Sequence, residues 1–256
     1  MDSRLLPMTA LQARGDFLPL RLSLVILSVA LGSPLAFSQS TAPNPGNPST
    51  LEDFKAGDAN AKRESYQRAT DVLKALDVSR GDSVADLGAG GGYYSMRLSD
   101  IVGPAGKVFA EDISENSMRW LHQRVKVFDL QNVEVVKGEA DNPKLPADSL
   151  AAVLVVNSYH HFEQYEAMDQ QILRMLKPGG RLVIADYSLP AHRTESRADQ
   201  IKAHEIDPNL VREELTRIGF HVLKCDDPFL KRMTDVTNGD RIGAADMWLM
   251  VAVRPN

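Results

Sequence analysis

The residues whose types and spacing point most directly to chemistry lie in a glycine-rich stretch. Residues 83–94 read SVADLGAGGGYY, so a short apolar run breaks into Gly88–Gly92 and an amphipathic segment begins at Tyr93. Glycine permits a tight turn with positive φ and lets a ligand approach the main chain, because it has no Cβ. Glycines alone are a weak signal, since many loops use them only for turning. The predicted strand before them and the predicted helix after them make the stretch typical of a nucleotide-type cofactor site.

His160 and His161 are the titratable side chains best placed for proton transfer. They follow a predicted strand at residues 151–156, together with Asn157 and Tyr159. An imidazole titrates near neutral pH and can serve as a general base for a weak nucleophile such as a hydroxyl. In the alternative interpretation, one ring is packed and bonded to the backbone while the other lies on the surface. Asn157 and Tyr159 are further candidates for orienting a bound molecule.

No metal site is expected from the sequence. Four residues could together supply ligands: His160, His161, His204 and Glu205. Their spacing is not diagnostic of any metal. Cys225 is the only cysteine in the sequence, which excludes an internal disulfide and a cysteine-based zinc site. Its apolar neighbours favour a packing role.

These side chains must be positioned by strands and helices that alternate along the chain. Apolar runs bounded by turn residues predict strands at residues 84–87, 107–113, 133–137, 151–156, 181–186, 220–225 and 247–253. Helical periodicity predicts helices at residues 63–76, 93–101, 165–176 and 208–218, and one after the cap Ser114. Residues 192–204 are expected to form a surface loop or a lid helix, and residues 226–246 an irregular loop. We therefore expect an α/β fold with a doubly wound, mostly parallel seven-stranded Rossmann-like sheet and an antiparallel C-terminal strand.

Polar residues follow five of the predicted strands. Ligands of doubly wound sheets bind at the carboxyl ends of the strands, near the point where the strand order reverses. The residues at those ends are Gly88–Gly92, Asp112, Asp141, Asn157 and Asp186. Their convergence on one crevice, rather than any single residue, predicts a binding site.

Two classes of cofactor fit a strand, a glycine loop and a helix. A dinucleotide fingerprint is G-x-G-x-x-G, whose third glycine allows the helix to pack closely on the strand. Counted from Gly88 that position is Tyr93, and counted from Gly90 it is Ser95. An NAD(P)-dependent oxidoreductase therefore requires a departure from its own pattern, and it is kept as an alternative.

A second pattern is present in the same part of the chain. The motif D-x-G-x-G-x-G is formed by Asp86, Gly88, Gly90 and Gly92. Three further segments accompany it: KVFAEDIS at residues 107–114, GEAD at residues 138–141 and LKPGGRLVIAD at residues 176–186. In these segments the sequence resembles the class I S-adenosylmethionine-dependent methyltransferases. The resemblance extends over residues 66–186 and, loosely, over the C-terminal helix and strands.

The resemblance implies S-adenosylmethionine as the cofactor and methyl transfer as the reaction, and its motifs are far less specific for the acceptor. It assigns the ribose hydroxyls to the acid that closes the second strand, Asp112 or, in the alternative register, Glu111. The other implied cofactor contacts are Asp86, Gly88, Ala89, Gly90, Gly92, Ala140, Asp141 and Asn157. Carboxylates suit this cofactor, because it carries a sulfonium cation and an ammonium group and because a carboxylate can accept both ribose hydroxyls. Asp86 is expected either near the ammonium group or bonded to amides of the glycine loop.

The N-terminal segment predicts export. A basic flank, the apolar run Leu22–Leu31 and small residues before a cut after Ser38 predict a secretory signal peptide over residues 1–38. Residues 39–50 are expected to be a disordered linker, and residues 51–256 the methyltransferase domain, with its core at residues 66–186. We therefore expect a periplasmic or secreted protein without stable membrane insertion after cleavage. Because S-adenosylmethionine is made in the cytosol, two alternatives stay open: a cytoplasmic or membrane-tethered enzyme, and an exported methyltransferase-like binding module without turnover.

Composition and charge narrow the class of partner. The chain has 256 residues, of which 43% are hydrophobic and 25% charged, which is typical of a globular domain of ordinary size. A net charge of −5 and the absence of a basic patch interleaved with aromatic residues disfavour a nucleic acid as the partner. The expected partner is a small-molecule methyl acceptor.

Overall fold

The computed structural model describes residues 58–231 and 245–256, with side chains from residue 63 onward. The predicted signal peptide and linker lie outside the described residues. The helices are α1 (Asp58–Gln67), α2 (Ala69–Ala75), α3 (Tyr93–Val102), α4 (Glu115–Val127), α5 (Tyr165–Met175), α6 (Arg197–Lys202) and α7 (Pro208–Ile218). The strands are β1 (Ser83–Leu87), β2 (Lys107–Asp112), β3 (Val133–Lys137), β4 (Leu150–Val156), β5 (Leu176–Ser188), β6 (His221–Leu230) and β7 (Asp246–Val253). Two 3₁₀ turns cover Tyr159–His161 and Pro190–His192.

The strands form one seven-stranded sheet in the order β3-β2-β1-β4-β5-β7-β6. The five strands β3, β2, β1, β4 and β5 run parallel to one another, and β7 pairs antiparallel with both β5 and β6. The strand order reverses between β1 and β4, which are hydrogen-bonded neighbours. The predicted fold is therefore confirmed, and the reversal opens the crevice at the carboxyl ends of β1 and β4.

Both faces of the sheet are covered, as the continuous apolar strands predict. Ala152 and Leu154 of β4 pack in the core on one face, and Val153 and Val155 pack in the core on the other. All four side chains are fully buried. Alternate residues of a strand point to opposite faces, so a strand buried on both sides needs apolar residues at every position.

Two parts of the predicted secondary structure are wrong. The predicted helix at residues 63–76 is divided into α1 and α2 by Arg68, which has a left-handed backbone with φ 48°. The Arg68 guanidinium donates to the Phe229 carbonyl oxygen at 2.8 Å and stacks over the Phe229 ring, a contact that no local pattern reveals. The start of the predicted irregular loop, residues 226–230, instead continues β6.

The predicted lid segment contains a short helix. Residues 192–204 begin at the end of a 3₁₀ turn and include α6. The Ser196 hydroxyl caps this helix by accepting a hydrogen bond from the Asp199 N–H. Among the described residues, no helix combines the length and the apolar character needed to cross a membrane.

Candidate functional site

The glycine loop, Gly88–Gly92, connects the end of β1 to the start of α3. Gly88 has φ 69° and Gly90 has φ 56°, a region that residues with a Cβ rarely adopt. A Cβ added to Gly88 would lie 1.9 Å from Ser158 Oγ, so the loop main chain packs directly on the residue that follows β4. A Cβ added to Gly90 would meet nothing within 4 Å. The loop is therefore tightly packed at its first glycine and open to a ligand at its second.

Two acids at the end of β2 hold this loop in place. Asp112 accepts hydrogen bonds from the N–H of Gly90 and the N–H of Ser114, each at 2.8 Å. Glu111 accepts a longer one, 3.4 Å, from the N–H of Gly88, and its carbonyl oxygen accepts from Ala89 at 2.9 Å. Both carboxyl groups are buried. The acids that the sequence offered as alternatives therefore lie under different parts of the same loop.

The environment of Glu111 favours its protonated form. Burial, together with the neighbouring Asp112 and Asp86 carboxylates, raises the pKa of Glu111 to about 8, against the opposing effect of the hydrogen bond from the Gly88 N–H. A Cβ added to Gly138 would lie 1.9 Å from Glu111 Oε1, so the side chain is enclosed between the glycine loop and the end of β3. Glu111 is packed as a structural group, while Asp112 is bonded to the open part of the loop.

Asp86 lies inside β1 and bonds to α3. The Ser95 hydroxyl donates to Asp86 Oδ2 at 2.5 Å, and the side chain is 2% exposed. Burial raises the pKa of Asp86 to about 6, against the opposing effect of the hydrogen bonds from Ser95. Asp86 is therefore a structural acid, but its partner is Ser95 in the first turn of α3 rather than an amide of the glycine loop.

The turn after β3 reaches the same end of the sheet. Ala140 is exposed and Asp141 is partly exposed, in a turn closed by a bridge between Glu139 and Asn142. Ile113, directly after β2, is a large apolar side chain that is 56% exposed. Sequence reasoning assigned Ile113 to the strand and missed it as a candidate contact. Its apolar type immediately after two acids was the available signal.

The residues after β4 divide into buried and exposed groups. Asn157 is exposed, with φ 53°, and its N–H donates to the Ala185 carbonyl oxygen at 2.8 Å. Tyr159 is fully buried, and its hydroxyl lies 2.8 Å from Asp169 Oδ2 and 3.0 Å from Glu214 Oε2. Tyr159 therefore packs in the core, and the proposal that it orients a bound molecule is wrong.

His160 is a buried histidine with a carboxylate partner. Its ring Nδ1 lies 2.9 Å from Asp186 Oδ1, and its backbone N–H donates to Asp186 Oδ2 at 3.1 Å. Asp186 is fully buried and also accepts from the N–H of Tyr187 at 2.8 Å. Because these backbone donors fix the carboxylate, it fixes the orientation of the imidazole ring. Asp186 was predicted only as a polar strand end, and no sequence signal pairs it with His160.

Three histidines lie together beside this pair. The His160 and His161 ring centroids are 4.0 Å apart, and His204 lies 5.6 Å from the first and 5.3 Å from the second. Burial lowers the pKa of His161, and positive charge on His160 or His204 would lower it further, so its neutral form is favoured. Glu205 points elsewhere, since it accepts from the Leu189 N–H at 2.7 Å. The fold thus brings together three of the four residues that were considered as metal ligands.

Comparisons with known proteins agree with this geometry. Residues 84–180 match a family model described as a methyltransferase domain. A demethylmenaquinone methyltransferase of Listeria welshimeri is 32% identical over 120 residues, which are 47% of this chain and 51% of the relative. The chain thus spans about half the length of the curated relatives it matches.

Solved structures share the fold. The crystal structure of a SAM-dependent methyltransferase from Aquifex aeolicus superposes with a TM-score of 0.61 at 22% identity, over 79% of this chain and 97% of that one. The [4+2]-cyclase SpnF superposes with a TM-score of 0.58 at 16% identity, over 78% of this chain and 82% of that one. The fold is the Rossmann-like fold of the Aquifex aeolicus methyltransferase, and the domain match and these neighbours imply S-adenosylmethionine as the cofactor. The open main chain at Gly90 and the carboxylate of Asp112 beside it fit such a group.

Substitution of Gly88 tests the packing of the loop. We expect Gly88→Ala to lower the affinity for S-adenosylmethionine at least about tenfold, because Ser158 and the loop must move apart. Gly81→Ala is the matched control, since Gly81 also has positive φ (93°) but open space around its Cβ position. Both variants should lose about 1–2 kcal/mol to backbone strain, and Gly88→Ala should lose more. Calorimetric titration and thermal unfolding measure the two effects, and equal affinities of the two variants would contradict the assignment.

The pKa of Glu111 predicts a pH-dependent stability. Because its pKa rises from 4.5 to about 8 on folding, the folded state retains a proton that the unfolded chain releases between these values. The free energy of unfolding therefore falls as pH rises through this window, by up to about 1.4 kcal/mol per pH unit. Glu111→Gln should remove this component and gain stability over the wild type as pH rises. Urea unfolding at several pH values checks this, with the exposed Glu134→Gln as control, and parallel curves for Glu111→Gln and wild type would refute it.

Proposed function

We propose that this protein is an S-adenosylmethionine-dependent methyltransferase that acts on a small-molecule acceptor. The observation that carries the proposal is the glycine loop, open at Gly90 and bonded there to Asp112, at the point where the strand order reverses. The match of residues 84–180 to a methyltransferase domain supports the same reaction class.

The proposed cofactor contacts follow from which groups are open and which are enclosed. Asp112 is proposed to accept the ribose hydroxyls, since its carboxylate borders the open part of the loop and Glu111 is enclosed behind Gly88 and Gly138. Ile113 offers an exposed apolar surface next to it for a planar base. The remaining proposed contacts are main-chain and side-chain groups at the same strand ends: Gly88, Ala89, Gly90, Gly92, Ala140, Asp141 and Asn157. Asp86 is proposed to act through α3, because its carboxylate is bonded to Ser95.

The acceptor is proposed to be a small organic molecule. The curated relatives are named for the methylation of demethylmenaquinone, and the net charge of −5 disfavours a nucleic acid. When bound, the cofactor supplies an electrophilic methyl group on a sulfonium. The chain itself mainly positions the nucleophile of the acceptor against the methyl group, because an in-line displacement gains much of its rate from near-attack geometry. General-base catalysis by His160 or His161 stays a prediction, and the exposed His161, whose pKa is lowered, fits it better than the enclosed His160.

Titration of the full chain with S-adenosylmethionine and with its demethylated product tests the proposal. We expect saturable binding of both and none of NADH. Asp112→Ala should weaken the binding at least about tenfold, because it removes the proposed bidentate acceptor. Glu134→Ala is the matched control, because Glu134 is an exposed carboxylate of β3 that forms a surface ion pair with Lys107, and this variant should bind as the wild type does.

Four outcomes would contradict or change the proposal. Absence of saturation at millimolar cofactor would refute the proposal. An increase in the melting temperature with NADH instead would favour the oxidoreductase alternative. Unchanged affinity in Asp112→Ala with loss in Glu111→Ala would move the ribose contact to Glu111. Binding without turnover across a panel of small acceptors would favour a binding module.

We also propose that the chain is exported, on the basis of the apolar run Leu22–Leu31 and the small residues before a cut after Ser38. The expected mature protein begins at Gln39. Mass spectrometry of the N-terminus of the protein recovered from cells checks this. A product that retains Leu22–Leu31 would refute cleavage and favour the cytoplasmic or membrane-tethered alternative.

A further inference from the structure

We propose that His160, His161 and His204, called here the histidine triad, bind a divalent transition-metal ion of the zinc class. One ring nitrogen from each residue can be chosen so that all three lie within 4.8 Å of one another. Imidazole nitrogens suit Zn²⁺ and its first-row neighbours, whereas Mg²⁺ and Ca²⁺ require oxygen ligands. Three histidines are a sufficient protein ligand set for a catalytic zinc ion, with a fourth position left open.

The triad is assembled from two separate parts of the chain. His160 and His161 belong to the 3₁₀ turn after β4, where the N–H of His161 donates to the Ser158 carbonyl oxygen at 3.0 Å. His204 follows α6 with φ 57°, and its N–H donates to the Ile201 carbonyl oxygen at 3.0 Å. Both backbones are held by their own turns, so the three rings meet by the packing of α6 against the turn after β4.

The contact with Asp186 orients His160 for metal binding. With its Nδ1 bonded to the buried Asp186 carboxylate, His160 has Nε2 left as the nitrogen with a free lone pair. A carboxylate on the far nitrogen of a histidine ligand fixes the tautomer and ring orientation and raises the basicity of the ligating nitrogen. The buried Asp186 carboxylate is compensated by hydrogen bonds from the backbone N–H groups of His160 and Tyr187, which hold it against the imidazole ring.

The observed spacing requires only a small adjustment on binding. Nitrogens bound to zinc at about 2.1 Å in a tetrahedral site lie about 3.4 Å apart, so the widest pair must approach by roughly 1–1.5 Å. His160 is fixed by Asp186, while His161 and His204 are both exposed. Rotation of these two exposed rings supplies the movement without disturbing the core.

The triad borders the proposed cofactor crevice. Ser158, two residues before His160, is the side chain on which Gly88 packs. Metal binding is independent of the proposed methyl transfer, whereas use of the open metal position to hold an acceptor oxygen rests on that proposed function. A metal ion also excludes general-base catalysis by His161, because both need the same lone pair.

Titration of the full chain with Zn²⁺ tests the site, using protein stripped by a chelator and made without a polyhistidine tag. We expect one ion per chain by calorimetry, and visible ligand-field bands of tetrahedral Co²⁺ when Co²⁺ replaces Zn²⁺. His204→Ala should lower the affinity at least about tenfold and abolish the Co²⁺ bands. Asp186→Asn should weaken binding about 10–100-fold, provided that thermal unfolding shows it folded.

His221→Ala and His122→Ala are the matched controls, since both histidines are exposed and lie outside the triad. They should bind Zn²⁺ as the wild type does. Absence of stoichiometric binding in the wild type, or equal binding by His204→Ala, would overturn the site, as would loss of binding in either control. His204→Ala should keep its affinity for S-adenosylmethionine. A wild-type chain that binds Zn²⁺ but not the cofactor would refute the proposed function and leave the metal site supported.

Discussion

The contact between Gly88 and Ser158 joins the two halves of the crevice. Gly88 follows the first strand and Ser158 is the second residue after the fourth, and these strands are neighbours at the reversal of strand order. Because no Cβ intervenes, the glycine loop lies directly on the turn that carries His160 and His161. The proposed cofactor site and the histidine triad therefore meet across this packing contact. Any residue larger than glycine at position 88 would push the glycine loop and this turn apart.

Buried carboxyl groups hold this arrangement together. Asp86, Glu111, Asp112 and Asp186 all lie within the strands that end at the crevice, and each bonds a neighbouring element. Burial raises the pKa of Asp86 to about 6 and the pKa of Glu111 to about 8. Desolvation of such groups costs free energy, which hydrogen bonds to backbone N–H groups and to serine offset. These carboxyl groups connect the strands to neighbouring loops and helices by hydrogen bonds. Asp112 also borders the open part of the glycine loop.

Much of the fold was predictable because its signals are local. The continuous apolar runs gave the parallel strands, and Ser114, Asp207 and Gly219 marked helix ends where the structure has them. The break at Arg68 was not predictable, because its left-handed backbone is held by Phe229, which is distant in sequence. The same is true of residues 226–230, whose polar sequence resembles a loop but whose backbone pairs with β7. In both places tertiary contacts override local preference.

The sequence by itself determined the glycine loop, the acids that follow the second strand and the alternation that brings strand ends to one edge. These features depend on the conformational freedom of glycine and on the periodicity of apolar residues. Both are local properties, which can be read from a few neighbouring residues. Only the tertiary structure decided that Asp112 rather than Glu111 borders the open loop, that Tyr159 is core, and that Asp186 orients His160 towards His161 and His204. Adjacent acids on a strand point to opposite faces, and histidines separated along the chain meet only when α6 packs on the turn after β4. Those outcomes depend on how the elements pack, which the spacing of residues along the chain does not encode.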